Sequence, residues 1–282
     1  MSIVDTKTFR LAGVMGWPVA HSRSPMLHQH WITHYGLNGA YVLLRVAPGR
    51  LDAALRGLPA LGFAGCNITL PHKIDALKRV DRVDATAQRI GAINTVVVEA
   101  DGSLSGYNTD GFGYLQSLRD AMPAWRAETG PAVVLGAGGA ARAVLVSLIE
   151  QGAQEIRLLN RTDARAQELA AEMGHPVIAL PWAQRHEALA GCALLVNTTS
   201  QGMHGQPPLD LHLAALPPQA LVSDIVYVPM QTPLLLAARA RGNPVAGGLG
   251  MLLNQARPAF KAWFGVMPEI SAEQRASIEA TL

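Results

Sequence analysis

In the first part of the chain, short apolar runs alternate with stretches in which apolar residues return every three or four positions. A brief uniform or alternating apolar run suits a strand, whose side chains repeat every two residues. The longer spacing suits a helix, with about 3.6 residues per turn. On this basis strands are expected at residues 9–15, 41–46 and 64–68, and helices at 26–35 and 51–61. Helical material is expected across 72–90. The Thr95-Val96-Val97-Val98 run follows, closing at Glu99 ahead of an Asp101-Gly102 turn. This is the order of an α/β domain.

Residues 121–131, AMPAWRAETGP, have the proline, glycine and polar content of a connection. A second series begins at once, with strands expected at 132–135, 155–159, 176–180, 193–197 and 221–226 and helical segments between them. Its pattern is that of a doubly wound sheet. The last stretch of helical spacing, 248–264, contains Pro258, which should kink or divide it. A chain of 282 residues exceeds the usual extent of one hydrophobic core, so the two series are read as two domains.

Residues 131–149 are apolar apart from Arg142 and Ser147 and approach the length of a membrane span. Gly136, Gly138 and Gly139 divide them into a Val-rich and an Ala/Leu-rich half, which reads as strand, tight turn and buried helix. Hydrophobic residues are 49% of the chain and charged residues 16%, enough apolar material for covered cores. The 23 lysines and arginines are scattered and balanced by 21 acidic residues. No surface for nucleic acid or an anionic membrane is expected, and the partners are taken to be small molecules. Cys66 and Cys192 lack C-x-x-C spacing and read as buried, inert thiols of a reducing compartment, the cytoplasm. The opening MSIVDTKTFR puts Asp5 and polar residues where a signal peptide needs an apolar run.

Candidate chemistry begins where Val133-Val134-Leu135 runs into Gly136-Ala137-Gly138-Gly139-Ala140-Ala141, a G-x-G-x-x-A match at a strand-to-helix junction. Glycines let the backbone approach a pyrophosphate, and the helix start offers free N–H groups and the positive end of a dipole. Gly-Ala runs also serve as plain helix-packing surfaces, so the context carries the match. About 20 residues further on, an NAD enzyme places an acid on the ribose. Here Asn160-Arg161-Thr162 stands instead, with Arg165 one helical turn beyond, and guanidinium forks suit a phosphate. NADP is therefore expected, with Asp163, which could turn toward the ribose, as the counter-indication. Asn197-Thr198-Thr199-Ser200 follows another apolar strand, on the edge where open sheets bind ligands.

In the first half, Ser24 suits a helix cap and Pro25 the first helical position, so a helix start should face the Ser22 and Ser24 hydroxyls and could hold a carboxylate. Asn67-Ile68-Thr69-Leu70-Pro71-His72-Lys73 repeats the idea, with a helix begun by Pro71 and Lys73 in its first turn. A lysine is electrostatically disfavoured there, which points to a functional ammonium. Its partner could be Asp110 in the polar turn 106–111, although an aspartate there also suits ordinary capping. Asn94 adds an amide able to bond a polyol. His30 and His34 have helical ligand spacing without the glutamate of a zinc-protease motif, so no metal is expected, and no G-x-S-x-G elbow is present.

Taken in order from Gly16 to Gln255, these segments resemble the shikimate dehydrogenase family. Its amino-terminal signature is similar to Gly16-Trp17-Pro18-Val19-Ala20-His21-Ser22-Arg23-Ser24-Pro25 followed by His28, and its Asn-x-Thr-Ser-x-Gly-Met stretch resembles Asn197 to Met203. The family differs at Gln29 and Val228, where asparagine is frequent. The resemblance implies a substrate domain over 1–110, completed by 248–282 through a returning final helix, and a Rossmann-like NADP domain over 111–247. It implies that Ser22 and Ser24 hold the substrate carboxylate and that Thr69, Lys73, Asn94 and Asp110 surround the ring hydroxyls, with Lys73 and Asp110 catalytic. Tyr227 and Gln255 would also reach the substrate. The cofactor set would be Gly136, Ala137, Gly138, Gly139, Ala140, Asn160, Arg161, Thr162, Arg165, Thr198, Ser200, Met203, Ile225, Gly248 and Met251.

The activity implied is reversible, NADP-dependent reduction of 3-dehydroshikimate to shikimate in aromatic amino acid biosynthesis, by a monomer or homodimer. Three rivals are a quinate/shikimate dehydrogenase able to use NAD, a non-catalytic NADP-binding regulator of the same fold, and a folate-linked dehydrogenase. The regulator would be expected to lose Lys73 or Asp110, and the folate enzyme gives no reason for the Ser22 and Ser24 pair.

Overall fold

The computed structural model describes residues 6–282. Asp5, on which the reading of the amino terminus rests, lies outside the described residues. The chain forms two compact units, Met1–Thr109 with Gln255–Thr281, and Asp110–Asn254 with Leu282.

In the first unit β1 (Arg10–Gly16) pairs in parallel with β2 (Gly39–Arg45) on one side and β3 (Phe63–Ile68) on the other. Crossovers through α1 (Ser24–His34) and α2 (Leu51–Gly57) make this parallel pairing possible. β5 (Thr95–Val98) and β6 (Leu104–Tyr107) then add an antiparallel hairpin, and β4 (Arg82–Val83) closes the order β2-β1-β3-β5-β6-β4. The helix expected across 72–90 is broken into α3 (Lys73–Leu77), β4 and α4 (Ala85–Ile90). Asp84 accounts for part of the break, because its carboxylate caps α4 by accepting the Ala87 N–H at 2.9 Å. One cluster of buried side chains combines Met15, Leu55, Cys66, Ile68, Ile93 and Val96.

An aromatic cluster surrounds His28: Trp31 of α1, Tyr41 of β2, and Phe260 and Trp263 near the end of α9 (Gly248–Phe264). Trp263 donates its indole N–H to the Val96 carbonyl at 3.0 Å. Gly65 makes this approach possible, since a Cβ there would lie 2.3 Å from Trp263 Nε1. α9 is not divided at Pro258, which lies inside the helix. A proline costs a helix one backbone bond, and burial of Ala256, Ala259, Phe260, Trp263 and Phe264 on both sides of it holds the turns together.

His28 is fully buried, and desolvation lowers its pKa from 6.5 to about 3. Between these values the unfolded chain binds the proton that the folded chain refuses. Stability therefore falls as the pH drops through this window, by up to about 1.4 kcal/mol per pH unit. His28→Phe should flatten the pH dependence of the denaturant midpoint over that range relative to wild type. Parallel curves for the two proteins would refute the assignment.

The second unit begins with α5 (Asp110–Ala121), which the sequence reading did not distinguish from the turn before it. Its sheet is wholly parallel, ordered β12-β11-β10-β7-β8-β9, from β7 (Ala132–Leu135), β8 (Ile156–Leu159), β9 (Val177–Ala179), β10 (Leu194–Asn197), β11 (Leu221–Asp224) and β12 (Val245–Gly247). Counted within the unit this is 3-2-1-4-5-6, the order of dinucleotide-binding sheets, with the reversal between β7 and β10. β12 was not anticipated, because three residues running into glycines carry no period. α6 (Gly139–Glu150), α7 (Asp163–Met173) and α8 (Pro233–Ala240) follow β7, β8 and β11. Single 3-10 turns at Trp182–Gln184 and Glu187–Leu189 stand after β9 where a helix was expected. The apolar stretch 131–149 is thus a buried strand, turn and helix. Among the described residues no helix is long and apolar enough to cross a membrane. α10 (Ala272–Glu279), capped by Ser271, ends the chain.

Both cysteines are buried and free. Burial pushes the Cys66 thiol well up and that of Cys192 to about 11, which suppresses the reactive thiolate.

Candidate active site

Ser22, Ser24, Thr69, Lys73, Asn94 and Gln255 all belong to the first unit; backbone pairing gathers three of them, and a side-chain contact adds Gln255. The Thr69 N–H bonds the Met15 carbonyl at 2.9 Å, and Gly16 leaves room for it, since a Cβ there would meet Thr69 Cγ2 at 2.5 Å. The Ile68 N–H bonds the Asn94 carbonyl at 2.8 Å and the Ile93 N–H bonds the Lys73 carbonyl at 3.0 Å. These bonds set Thr69, Lys73 and Asn94 beside one another. Gln255 Oε1 stands 3.5 Å from Asn94 Nδ2. Asn94, 2% exposed, also holds Thr109, whose N–H donates to Asn94 Oδ1 at 2.9 Å. The backbone leading to Asp110 is thereby fixed.

Two local expectations are corrected. The cap position of α1 is Arg23, and Ser24 is the first helical residue; its N–H reaches Ser22 Oγ at 3.3 Å. Likewise α3 begins at Lys73, after His72, and not at Pro71, which follows a cis peptide bond outside the helix. His72 is anchored by donating Nε2–H to the Val46 carbonyl at 2.8 Å. Tyr41, Asn67, Thr95 and Thr109 are buried polar neighbours of this cluster to which the sequence reading gave no role. Their signal was available, since Tyr41, Asn67 and Thr95 are polar groups within otherwise apolar strands.

Asp110 and Tyr227 belong to the second unit together with the whole expected cofactor set. Asp110 is the first residue of α5, and Gly111 beside it allows close packing on α6, since a Cβ there would sit 2.1 Å from Ser147 Oγ. Gly136 closes β7 at φ +112, where a Cβ would lie 2.5 Å from Thr198 Oγ1. That hydroxyl is itself fixed, donating to the Leu135 carbonyl at 2.7 Å. Gly138, the cap of α6, and Gly139 have open space where a Cβ would stand, and α6 has no acidic residue in its first turn. An open cradle at a helix start with uncapped N–H groups fits a dinucleotide pyrophosphate. Ala137 and Ala140 lie in the same turn. Gly136→Ala should lower folding stability by roughly 1–3 kcal/mol through backbone strain. Gly138→Ala should stay within about 0.5 kcal/mol of wild type. Urea denaturation of the two variants checks this, and equal midpoints would refute the strain at Gly136.

At the end of β8, Asn160 donates Nδ2–H to the Thr162 carbonyl at 2.9 Å and shapes the turn into α7. Arg161 and Arg165 are exposed. Asp163, the counter-indication, is occupied: its carboxylate accepts the Trp182 N–H at 2.8 Å. Arg142 also bears on the phosphate question, because its guanidinium bonds both Glu172 oxygens at 2.5 Å and is committed to α7. Across the reversal point, Asp224, 1% exposed, ties the neighbouring loops together. It accepts from Asn197 Nδ2 at 3.1 Å, the Val226 N–H at 3.0 Å and Thr232 Oγ1 at 2.7 Å. Burial pushes its carboxyl pKa up. The clamp positions Thr198 and Ser200 on one loop and Ile225 and Tyr227 on the other, while Met203 is exposed nearby in sequence. Gly248 is required by a close approach, a Cβ there lying 2.1 Å from the Ile225 carbonyl oxygen, and Met251 follows one turn on in α9.

The family description "Shikimate dehydrogenase substrate binding domain" matches residues 14–96, "Shikimate / quinate 5-dehydrogenase" matches 121–204, and "Shikimate 5'-dehydrogenase C-terminal domain" matches 248–272. A relative from Paramagnetospirillum magneticum named shikimate dehydrogenase (NADP(+)) is 56% identical over 269 residues, covering 95% of this chain and 98% of the relative. The chain belongs to the shikimate dehydrogenase family. Among solved structures, the Thermus thermophilus shikimate 5-dehydrogenase in complex with NADP(H) and shikimate superposes with a TM-score of 0.83 at 38% identity, covering 96% of this chain and 98% of that one. The Corynebacterium glutamicum quinate dehydrogenase in complex with NAD superposes at 0.89 with 30% identity, covering 97% and 100%. Family membership accounts for the α/β substrate unit and the dinucleotide-type second unit.

Among the described residues one group of possible metal ligands, His186, Asp210 and His212, brings atoms within 4.8 Å of one another. Asp210 there pairs with Arg185 at 2.5 Å, and His186 Nδ1 accepts the His212 N–H at 3.0 Å. Both groups are already engaged, and neither belongs to the expected site.

Proposed function

We propose that the protein interconverts 3-dehydroshikimate and shikimate with NADP, with Lys73 and Asp110 as its acid–base residues. The observation carrying this is the convergence of Thr69, Lys73, Asn94 and Gln255 within one unit of a chain whose family carries that chemistry over its full length. Hydride exchange at the ring carbon is the chemistry that bound NADP supplies. In reduction Lys73 gives a proton to the oxygen that becomes the hydroxyl; in oxidation it takes that proton back, with Asp110 helping to hold and relay it. Ser22 and Ser24 take the carboxylate. Thr69 and Asn94 bond ring hydroxyls, and Tyr227 and Gln255 complete the contacts to substrate.

The turn from Gly136 to Ala140 gives its backbone N–H groups to the pyrophosphate. Arg161 and Arg165 take the ribose phosphate, with Asn160 and Thr162 shaping their turn. Thr198, Ser200, Met203, Ile225, Gly248 and Met251 line the remainder of the cofactor path. NADP is favoured over NAD because Asp163, the acid that could have met a free ribose hydroxyl, is bound to the Trp182 backbone. The retained Lys73 and Asp110 disfavour a non-catalytic regulator. The protein works in the cytoplasm, as a monomer or homodimer, in the supply of aromatic amino acids.

The test is a spectrophotometric grid in which reduced cofactor is followed with shikimate or quinate, each offered NADP+ or NAD+. Turnover greatest with shikimate and NADP+ is expected. Activity with NAD+ alone would refute the role of Arg161, and a preference for quinate would move the assignment to a quinate/shikimate dehydrogenase.

A further inference from the structure

A buried polar thread joins Tyr41 to Asn94, each side chain donating to the next. Asn67, 6% exposed near the end of β3, donates Nδ2–H to the Asn94 carbonyl at 3.1 Å and to Thr95 Oγ1 at 3.2 Å. A carbonyl only accepts, so the amide orientation of Asn67 is settled and its Oδ1 is left as an acceptor. Tyr41 fills that place, donating its phenol to Asn67 Oδ1 at 2.6 Å. At the other end Thr95, having accepted from Asn67, passes its own proton to Asn94 Oδ1 at 3.0 Å. The Thr109 N–H meets the same oxygen at 2.9 Å. Thr109 Oγ1 also donates to Oδ1 at 3.1 Å, and three donors on that oxygen make Asn94 Nδ2 the donor end of the amide, 3.0 Å from Thr109 Oγ1 and 3.5 Å from Gln255 Oε1.

The thread has a rigid backing. Tyr41 stacks on His28 with ring centroids 4.0 Å apart and planes 6° apart. His28 has no hydrogen-bond partner on either ring nitrogen, so nothing polar draws that ring away from the stack.

We propose that Tyr41 and Asn67 are positioning residues of the reaction, holding the Asn94 amide in one preorganised orientation toward the substrate. The polarity of the thread makes Asn94 present N–H and not carbonyl oxygen, which selects a substrate oxygen acting as acceptor. The inference rests on the assignment of Asn94 to the substrate.

Tyr41→Phe tests it, because it keeps the ring and the stack and deletes one oxygen. The shikimate KM is expected to rise roughly tenfold, the scale of one lost buried hydrogen bond, with kcat within about threefold of wild type. The NADP+ KM should stay unchanged. Thr95→Val, of equal shape, cuts the thread on the far side of Asn67 and should give the same signature if the first variant folds poorly. A shikimate KM within about twofold of wild type in the folded variants overturns the proposal, as does an equal rise in the NADP+ KM. Wild-type turnover of shikimate is measured first: an inactive wild type sinks the functional assignment and this inference with it, whereas an active wild type with unaffected variants sinks this inference alone.

Discussion

Lys73→Ala should lower kcat for shikimate oxidation by about 10² to 10⁴, the usual worth of a positioned acid–base group, while the shikimate KM moves only slightly. The local structure allows so clean a result. Lys73 opens a short helix, and its backbone carbonyl, not its side chain, receives the Ile93 N–H at 3.0 Å. Alanine is the best helix former and keeps that bond, so the Thr69 to Asn94 arrangement should survive the truncation. On the proposed assignment, substrate binding rests mainly on the serines, Thr69, Asn94 and Gln255, which the change leaves alone. Lys73→Arg should be nearly as slow, because a guanidinium keeps the charge but does not give up its proton at working pH. Steady-state kinetics decide the matter, and near-normal turnover in Lys73→Ala would end the assignment of Lys73 as the acid–base group.

The second large effect is expected at the cofactor. Arg161→Ala should raise the NADP+ KM by about 10- to 150-fold, since a hydrogen bond between charged groups is worth roughly 1.5–3 kcal/mol. The shikimate KM and the kinetics with NAD+ should barely change, so discrimination between the cofactors falls by the same factor. Arg161 is exposed, so its removal should cost the fold little. Arg165→Ala should act in the same direction. An unchanged NADP+ KM in the double variant would show that the ribose phosphate is read elsewhere.

Much of the architecture is legible before the structure, for identifiable reasons. Ala132–Leu135 is uniformly apolar, and Leu194–Asn197 is apolar up to its final asparagine, as suits parallel strands buried on both faces, and glycines or polar residues mark their ends. What escapes is short or decided by distant partners. Val245–Gly247 is a strand only because β11 offers an edge, and Arg82–Val83 only because β6 does. Pro258 sits inside a helix because aromatic packing outweighs one missing bond. At the site, residue types with intrinsic chemistry, such as Lys73 and Arg161, stand out in the sequence. Tyr41 and Asn67 show only as polar groups within apolar strands, and what they do is set by hydrogen bonds across 26 residues of chain and on to a second strand. Asp163 shows the converse, a residue suspected of ribose binding whose carboxylate is bound to the backbone of Trp182.

The central claim is that the Lys73 ammonium serves the reacting oxygen of the substrate. A crystal structure of the protein with shikimate and NADP+ bound tests it most directly. Lys73 Nζ should lie within hydrogen-bonding reach, about 2.6–3.2 Å, of the hydroxyl oxygen on the carbon to be oxidised. A Lys73 side chain directed into bulk solvent in that complex would contradict the claim.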